Sequence, residues 1–174
     1  MRLLRALSPA LLALTLLVGG CGGEEMPKPT NQPSPNEGQP PAAAPARTPP
    51  QLQRKPKVEK GRGSPPKQLK TKDIIEGKGK AAAKGSQLTV NYVGILFESG
   101  KEFDASWERK QPFPFKLGEG TVIPGWDKGL EGMKVGGRRR LTIPPEQAYG
   151  EQGSPPAIGP NETLIFVIDL LNVQ

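Results

Sequence analysis

The chain has 174 residues, a formal net charge of +7, no histidine and one cysteine. A Ser-His-Asp triad, a Cys-His dyad, an HExxH zinc site, a Cys/His zinc cluster and an intrachain disulfide are therefore all excluded. Its 22 glycines and 21 prolines are unevenly placed, and all nine aromatic residues lie between Tyr92 and Phe166. The first half of the chain thus has little from which to build a core, and the composition allows one domain of roughly 100 residues.

Residues 1–20 carry Arg2 and Arg5, then an apolar stretch through Leu11, Leu12, Leu14, Leu16, Leu17 and Val18 that ends at Gly19-Gly20. A short basic region, an apolar run too short for a membrane span and small residues at the end predict a secretory signal peptide. The sequence VGGC at its end resembles a bacterial lipobox, so Cys21 is expected to be the lipidated residue of an exported, membrane-anchored lipoprotein of the bacterial cell envelope. The alternative is an ordinary signal with an incidental cysteine. Several acyl chains on one residue would anchor stably where a single chain binds marginally.

Residues 22–66 hold 12 of the prolines and no aromatic residue. Such sequence has few apolar groups to offset ordering entropy, and it reads as a disordered Pro-rich tether spanning about 40 Å as a coil and about 140 Å when extended. A PxxP ligand for a partner domain is the other reading of that stretch.

From residue 67 onward, 15 basic residues face 13 acidic ones, so the domain is nearly neutral. Residues 88–97 (LTVNYVGILF) predict a strand closed by the turn Glu98-Ser99-Gly100-Lys101, with a second strand at 101–104. FPFKL (113–117) alternates Phe113, Phe115 and Leu117 on one face. After Pro124-Gly125, the spacing of Trp126, Leu130 and Met133 predicts one amphipathic helix of about two turns, ended near Gly136-Gly137. RRRLTI (138–143) and LIFVIDLLNV (164–173) predict two further strands, with Arg138, Arg139 and Arg140 as a solvated strand start. The Gly/Pro-dense stretch between them predicts a long ordered loop. Five or so antiparallel strands with one helix give an α+β fold, the short helix wrapped by the sheet.

Chemistry in this domain must run on carboxylates, tyrosines, backbone amides and apolar surface. Asp104 with Glu102 or Glu108 offers no acidic pair whose setting raises one pKa, which counts against a two-carboxylate glycosidase. There is no GxxxxGK[ST] loop and no GxGxxG after a strand, so nucleotide binding has no motif to rest on. The single Arg cluster lacks interleaved aromatics, and nucleic acid is not an expected partner.

The segments VNYVGIL (90–96), ESGKEFDAS (98–106), QPFPFKLGEGTVIPGWDKGLEGMKVGGRRRLTIPPEQAYG (111–150) and TLIFVIDLL (163–171) resemble, in this order and spacing, the FKBP family of peptidyl-prolyl cis–trans isomerases. The resemblance runs from about Lys72 to the C-terminus. It implies a five- or six-stranded antiparallel sheet around a short helix, and rotation of X–Pro bonds in proline-containing polypeptide clients, without cofactor or metal, by a monomer. It also implies a pocket floored by Trp126, with its ring presented at a mouth. Phe113, Val122, Ile123, Ile158 and Phe166 would be substrate-binding, and Tyr92, Phe103, Asp104 and Tyr149 catalytic. The Ile123 N–H would donate to the ligand's carbonyl. Phe97, Trp107 and Phe115 match no pocket position and are expected in the core. Ser154 stands where many relatives carry histidine, and Ala157 where a larger aliphatic is common. Two other classes stay open: a chaperone that holds proline-containing segments without turnover, and an inert envelope domain.

Overall fold

The computed structural model describes residues 48–174. The expected signal peptide, Cys21 and the tether as far as residue 47 lie outside the described residues. Six strands form one antiparallel sheet: β1 (Lys70–Ile75), β2 (Gln87–Leu96), β3 (Glu102–Ala105), β4 (Phe113–Lys116), β5 (Arg138–Ile143) and β6 (Leu164–Val173). Their order is β1-β5-β6-β2-β3, and β4 pairs with the other half of the same β2 edge. The one α-helix among the described residues, α1 (Pro124–Gly129), lies between β4 and β5 in sequence.

The central pair is β2 and β6, each ten residues long and buried along most of its length. Period-2 alternation sorts their side chains into two layers. Leu88, Val90, Tyr92 and Leu96 from β2 join Leu164, Phe166, Ile168 and Leu170 from β6, Leu141 and Ile143 from β5, and Trp126, Leu130 and Met133 around the helix, in the main core. Val93, Ile95, Phe97 and Ile165 emerge on the opposite face and form a second cluster with Ala105. Phe97 and Phe115 are core residues as expected, and Trp107 packs on the second cluster.

The second cluster explains one departure from expectation. The tether expected to continue to residue 66 is packed against the domain from residue 48. Pro50–Leu52 form a short 3-10 turn that sinks Leu52 to 0 % exposure. Val58 rests on the second cluster, and the Gly61 N–H donates to the Phe97 carbonyl at 2.8 Å. Gly61 is required by contact, since a Cβ there would sit 2.2 Å from the Phe97 ring. Two isolated aliphatics suffice because prolines restrict the unfolded segment and so reduce the entropy lost on docking.

Two further differences have local causes. β1 (KTKDII) is a sixth strand that the pattern did not announce, since its side chains are almost all exposed at the sheet edge and show no apolar alternation. The helix is shorter than two turns, with Leu130 as its C-cap and Gly132 at φ +73° just beyond. Arg138, expected in solvent, is buried against Asp169, its direct neighbour across β5 and β6, through Nε–Oδ1 and Nη2–Oδ2 bonds of 2.5 and 2.7 Å. Burial pushes the Asp169 carboxyl above its usual range while Arg138 opposes that shift. The same guanidinium donates to the Arg54 carbonyl at 3.0 Å, tying the N-terminal segment to the sheet. Arg139 is also engaged, through two bonds to Asp73 on β1.

Residues 48–61 are thus part of the folded unit. A chain beginning at Lys67 loses the Leu52 side chain, worth about 2–5 kcal/mol when removed from a core. Its melting temperature should fall by about 10 °C or more against a chain beginning at residue 48, read by thermal unfolding. Equal melting temperatures would show the segment to be ornamental.

Candidate functional site

Cavity construction begins at the helix. Gly125 and Gly129 face β5: a Cβ on the first would lie 2.4 Å from Ile143 Cγ2, and on the second 2.8 Å from Leu141 Cδ2. Bare glycine backbone lets α1 press onto the sheet, and Trp126, between the two, is carried down among the aromatics. Pro124 at the first helical position has no N–H to satisfy, and its fixed φ suits a helix start. Asp127 turns back to accept the Gly118 and Gly120 N–H groups at 2.8 and 3.1 Å, which fixes the loop leading to Thr121, Val122 and Ile123.

The result is a cavity of about 400 Å³ lined by Tyr92, Phe103, Asp104, Phe113, Thr121, Val122, Ile123, Trp126, Tyr149 and Phe166. Such a volume lies in the range of small-molecule and peptide-segment sites, about 300–1,000 Å³. Trp126 lines the cavity and is only 4 % exposed, so its ring is buried and not presented at a mouth as expected. Around it stand Tyr92 and Phe166, each with ring centroids 5.2 Å away and edge-to-face, and Phe115 at 5.6 Å from beneath. Edge-to-face pairs hold rings in fixed orientations beyond what area burial alone gives. The Trp126 indole N–H has no acceptor among the described residues.

Phe103 and Asp104 are consecutive on β3, yet both reach the cavity. A bulge explains this: Gly94 pairs with Asp104 and Ile95 with Glu102, so Phe103 is the extra residue. The bulge re-aims the side chain that strict alternation would send to the other face. Gly94 makes room for it, since a Cβ there would meet Phe103 Cζ and Phe166 Cε1 at 2.7 Å each. Ser106, fully buried, accepts the Tyr92 N–H at 2.9 Å and donates to Asn91 Oδ1, holding β3 to β2 just beside the bulge.

At the rim the polar groups satisfy one another. The Tyr92 hydroxyl donates to Asp104 Oδ2, Arg109 Nη1 donates to Asp104 Oδ1 at 2.5 Å, and Arg109 Nη2 donates to the Tyr92 oxygen at 2.6 Å. The guanidinium also sits 5.7 Å from the Tyr92 ring centroid, within cation–π range. Burial first, and the Asp104 bond second, push the Tyr92 hydroxyl up to about 12, with Arg109 opposing. Tyr149, 40 % exposed, is raised by burial and then by the Asp104 charge. Both rim tyrosines are therefore neutral through the physiological range, beside the Asp104–Arg109 salt bridge. No protein acceptor among the described residues takes the Ile123 N–H, at the edge of the same cavity.

Of the residues singled out in the domain, Ile158 alone does not line this cavity. Reciprocal bonds between Ser154 and Ile158 (2.9 and 3.0 Å) close the loop, and the Ile158 side chain packs in the main core. Arg109 and Thr121 went unnoticed in sequence. Arg109 had a signal, a cation five residues after Asp104 across a tight turn, whereas exposed Thr121 had none.

The FKBP-type peptidyl-prolyl cis-trans isomerase family profile matches residues 78–171. An FK506-binding protein of Streptomyces anulatus is 54 % identical over 120 residues, covering 68 % of this chain and 97 % of its own length. A probable FK506-binding protein of Corynebacterium glutamicum is 49 % identical over 118 residues, covering 68 % and 98 %. Among solved structures, AtFKBP13 superposes with a TM-score of 0.58 at 39 % identity over 61 % of this chain and 93 % of that one. FkpA from Escherichia coli gives a TM-score of 0.56 at 46 % identity, covering 61 % and 48 %. The chain belongs to the FKBP family and is a peptidyl-prolyl cis–trans isomerase.

Gly94→Ala tests the bulge. The added methyl must displace the Phe103 and Phe166 rings, and isomerase activity should drop about tenfold or more. The accompanying stability loss should be no more than the roughly 1–3 kcal/mol of an overpacked core. Unchanged activity in a prolyl-peptide exchange assay would show that the two rings are free to give way.

Proposed function

We propose that the Trp126 cavity is where X–Pro bonds rotate, and that the clients are exported or envelope proteins met by a domain anchored to a membrane through Cys21. The observation that carries the site is the depth of the aromatic floor, where Trp126 and Phe166 are each 4 % exposed. An amide bond resists rotation by about 18–20 kcal/mol because resonance gives the C–N bond double-bond character. In the twisted transition state that charge separation is largely lost. A water-free apolar cavity disfavours the polar planar form relative to the twisted one. A gain of about 5 kcal/mol from these effects amounts to nearly four decades of rate.

Each residue then has a task. Trp126 supports the proline ring, with Phe113, Val122, Ile123 and Phe166 as walls. The Ile123 N–H, which lacks a partner in the protein, holds the substrate carbonyl on one side of the rotating bond. Tyr92, Phe103, Asp104 and Tyr149 form the catalytic rim. Asp104, each of whose oxygens accepts one bond, from Tyr92 and from Arg109, acts as an orienting acceptor for those two groups and not as a proton donor. No step requires a cofactor.

The mechanism separates from proton transfer by its pH dependence. Tyr92 and Tyr149 both titrate above the ordinary tyrosine value, and the chain has no histidine. Their raised values keep both hydroxyls protonated through neutrality, so the rate should be flat between about pH 5 and 8. Phe166→Ala should lose at least as much activity as Asp104→Asn, once matched stability is shown by thermal melting. A carboxylate-like pH profile with the fold intact would favour acid catalysis instead.

The anchor rests on the VGGC sequence and on the position of the only cysteine. A bacterial envelope location and a monomeric domain on a proline-rich leash follow from the same reading, since a tether lets one domain sample many clients near the membrane. Cys21→Ala should move the protein from the membrane to the soluble fraction on cell fractionation. Persistent membrane association would end the lipoprotein reading.

A further inference from the structure

Residues 48–61 lie across the sheet face opposite the helix, and one of their side chains reaches the segment that carries the isomerase rim. Lys55 Nζ donates to Glu102 Oε1 at 2.8 Å and to Glu108 Oε1 at 2.5 Å. Glu102 is two residues before Asp104 and immediately precedes the bulged Phe103; Glu108 immediately precedes Arg109. The two carboxylate oxygens share one ammonium and so lie no more than about 5 Å apart. We propose that Lys55 is a positioning residue for the isomerase site, the clasp by which residues 48–61 hold the 102–109 segment in the shape that aims Asp104 and Arg109 at Tyr92. This rests on the reading of the Trp126 cavity as the site of rotation.

Lys55 is well placed to act as a clasp because its backbone is already fixed on both sides. Three residues before it, Leu52 is fully buried. The adjacent Arg54 carbonyl accepts from Arg138, and three residues after it Val58 sits on the second cluster. Isolated surface ion pairs contribute little because two long side chains must be immobilised. Here docking of the segment has already restricted the lysine, and one cation serves two anions. Lys55 is held above its ordinary range by Glu102 and Glu108, and Glu108 below its own by Lys55.

Removing the ammonium changes the balance of charge at the rim. Glu102 and Glu108 then repel each other across a short gap, which drives β3 and the following turn apart. Glu108 also becomes a free carboxylate next to Arg109, competing with Asp104 for the guanidinium that now spans Asp104 and Tyr92. The floor at Trp126 is untouched. The effect should therefore fall on how well the cavity mouth accepts substrate more than on rotation once the proline is seated, raising KM with kcat nearly constant.

The test uses the full chain with Lys55→Met, which keeps the stem and removes the charge, and Lys55→Arg, which restores a cation. In prolyl-peptide exchange at low salt, Lys55→Met should raise KM about three- to tenfold with kcat within twofold of the parent, and Lys55→Arg should recover most of the loss. Half-molar salt should draw the two toward a common value, raising KM in the parent as the ion pairs are screened and lowering it in Lys55→Met as the Glu102–Glu108 repulsion is. If Lys55→Met lowers the melting temperature substantially, Lys55→Met/Glu108→Gln is read beside it: with the second carboxylate neutralised, the repulsion and the competition for Arg109 are gone, and KM should return most of the way to the parent's. A parent-like KM in the folded variant overturns the proposal, as does an Arg variant no better than Met or an equal salt response in parent and variant. Phe166→Ala, run in parallel, reports on the cavity alone. If it loses activity while Lys55→Met does not, only the clasp is refuted; if neither changes, the cavity assignment falls too.

Discussion

The site depends on how closely one short helix can approach the sheet, and that distance is set by two glycines. At Gly125 and Gly129 even a methyl group would collide with Ile143 and Leu141. An ordinary helix–sheet contact would lift Trp126 away from Tyr92 and Phe166 and turn the cavity into a shallow dish. Because the helix is only six residues long, it has no further turn with which to anchor itself. Its position rests on this contact, on Leu130 and Met133 in the core just beyond its end, and on Asp127 holding the preceding loop. The depth of the floor leaves Trp126 almost wholly buried, and under the proposed mechanism that burial is what lets an amide lose its planarity cheaply.

Around that floor three polar groups bond to one another. Asp104, Tyr92 and Arg109 form a closed triangle in which each bond also aims a group that lines or borders the cavity. A carboxylate in this position without the guanidinium would face both desolvation and a competing water shell. Paired as it is, it acts as a bracket for the Tyr92 ring. The β3 bulge serves the same end by bringing an aromatic and a carboxylate from adjacent residues to one face. Shape and charge at the mouth are thus one construction, which is why a lysine on the far segment can reach them through Glu102 and Glu108.

Legibility in the sequence follows burial. β5 and β6 were readable to the residue, and β2 to within one, because their side chains alternate between a core on one face and cover on the other. β1 was not, since an edge strand of lysines and threonine spends its backbone hydrogen bonds on β5 while showing solvent no pattern. The FKBP-like motifs located nine of the cavity's ten lining residues. They missed Thr121 and misplaced Ile158, whose direction is decided by loop closure through Ser154 and not by its neighbours in sequence. Gly94, Gly125 and Gly129 were invisible as site residues for a related reason. Their contribution is absent volume, and only the partner atoms reveal that it is needed. Arg138 was misjudged because a run of three arginines reads as solvated, whereas its across-strand neighbour Asp169 draws it into the sheet.

The segment 48–61 shows how composition misleads when it is averaged. Proline-rich sequence with a few aliphatics has too little apolar surface to fold by itself, and that inference holds for an isolated peptide. It fails where a preformed apolar face is already waiting. Val93, Ile95, Phe97 and Ile165 form such a face on the side of the sheet away from the helix, and without cover they would leave an apolar patch open to water. Val58 and the bare backbone of Gly61 supply cover there, and Arg138 offers a donor to the Arg54 carbonyl from a guanidinium already committed to Asp169. The buried ion pair and the segment therefore support each other. Covering the pair costs desolvation, which its two-bond geometry and the bond to the Arg54 carbonyl offset, and the segment gains there a polar attachment beside those at Gly61 and Lys55. The sheet is in this sense a three-layer structure, with helix and cavity on one face and the segment on the other, and the two outer layers communicate through the edge at β3.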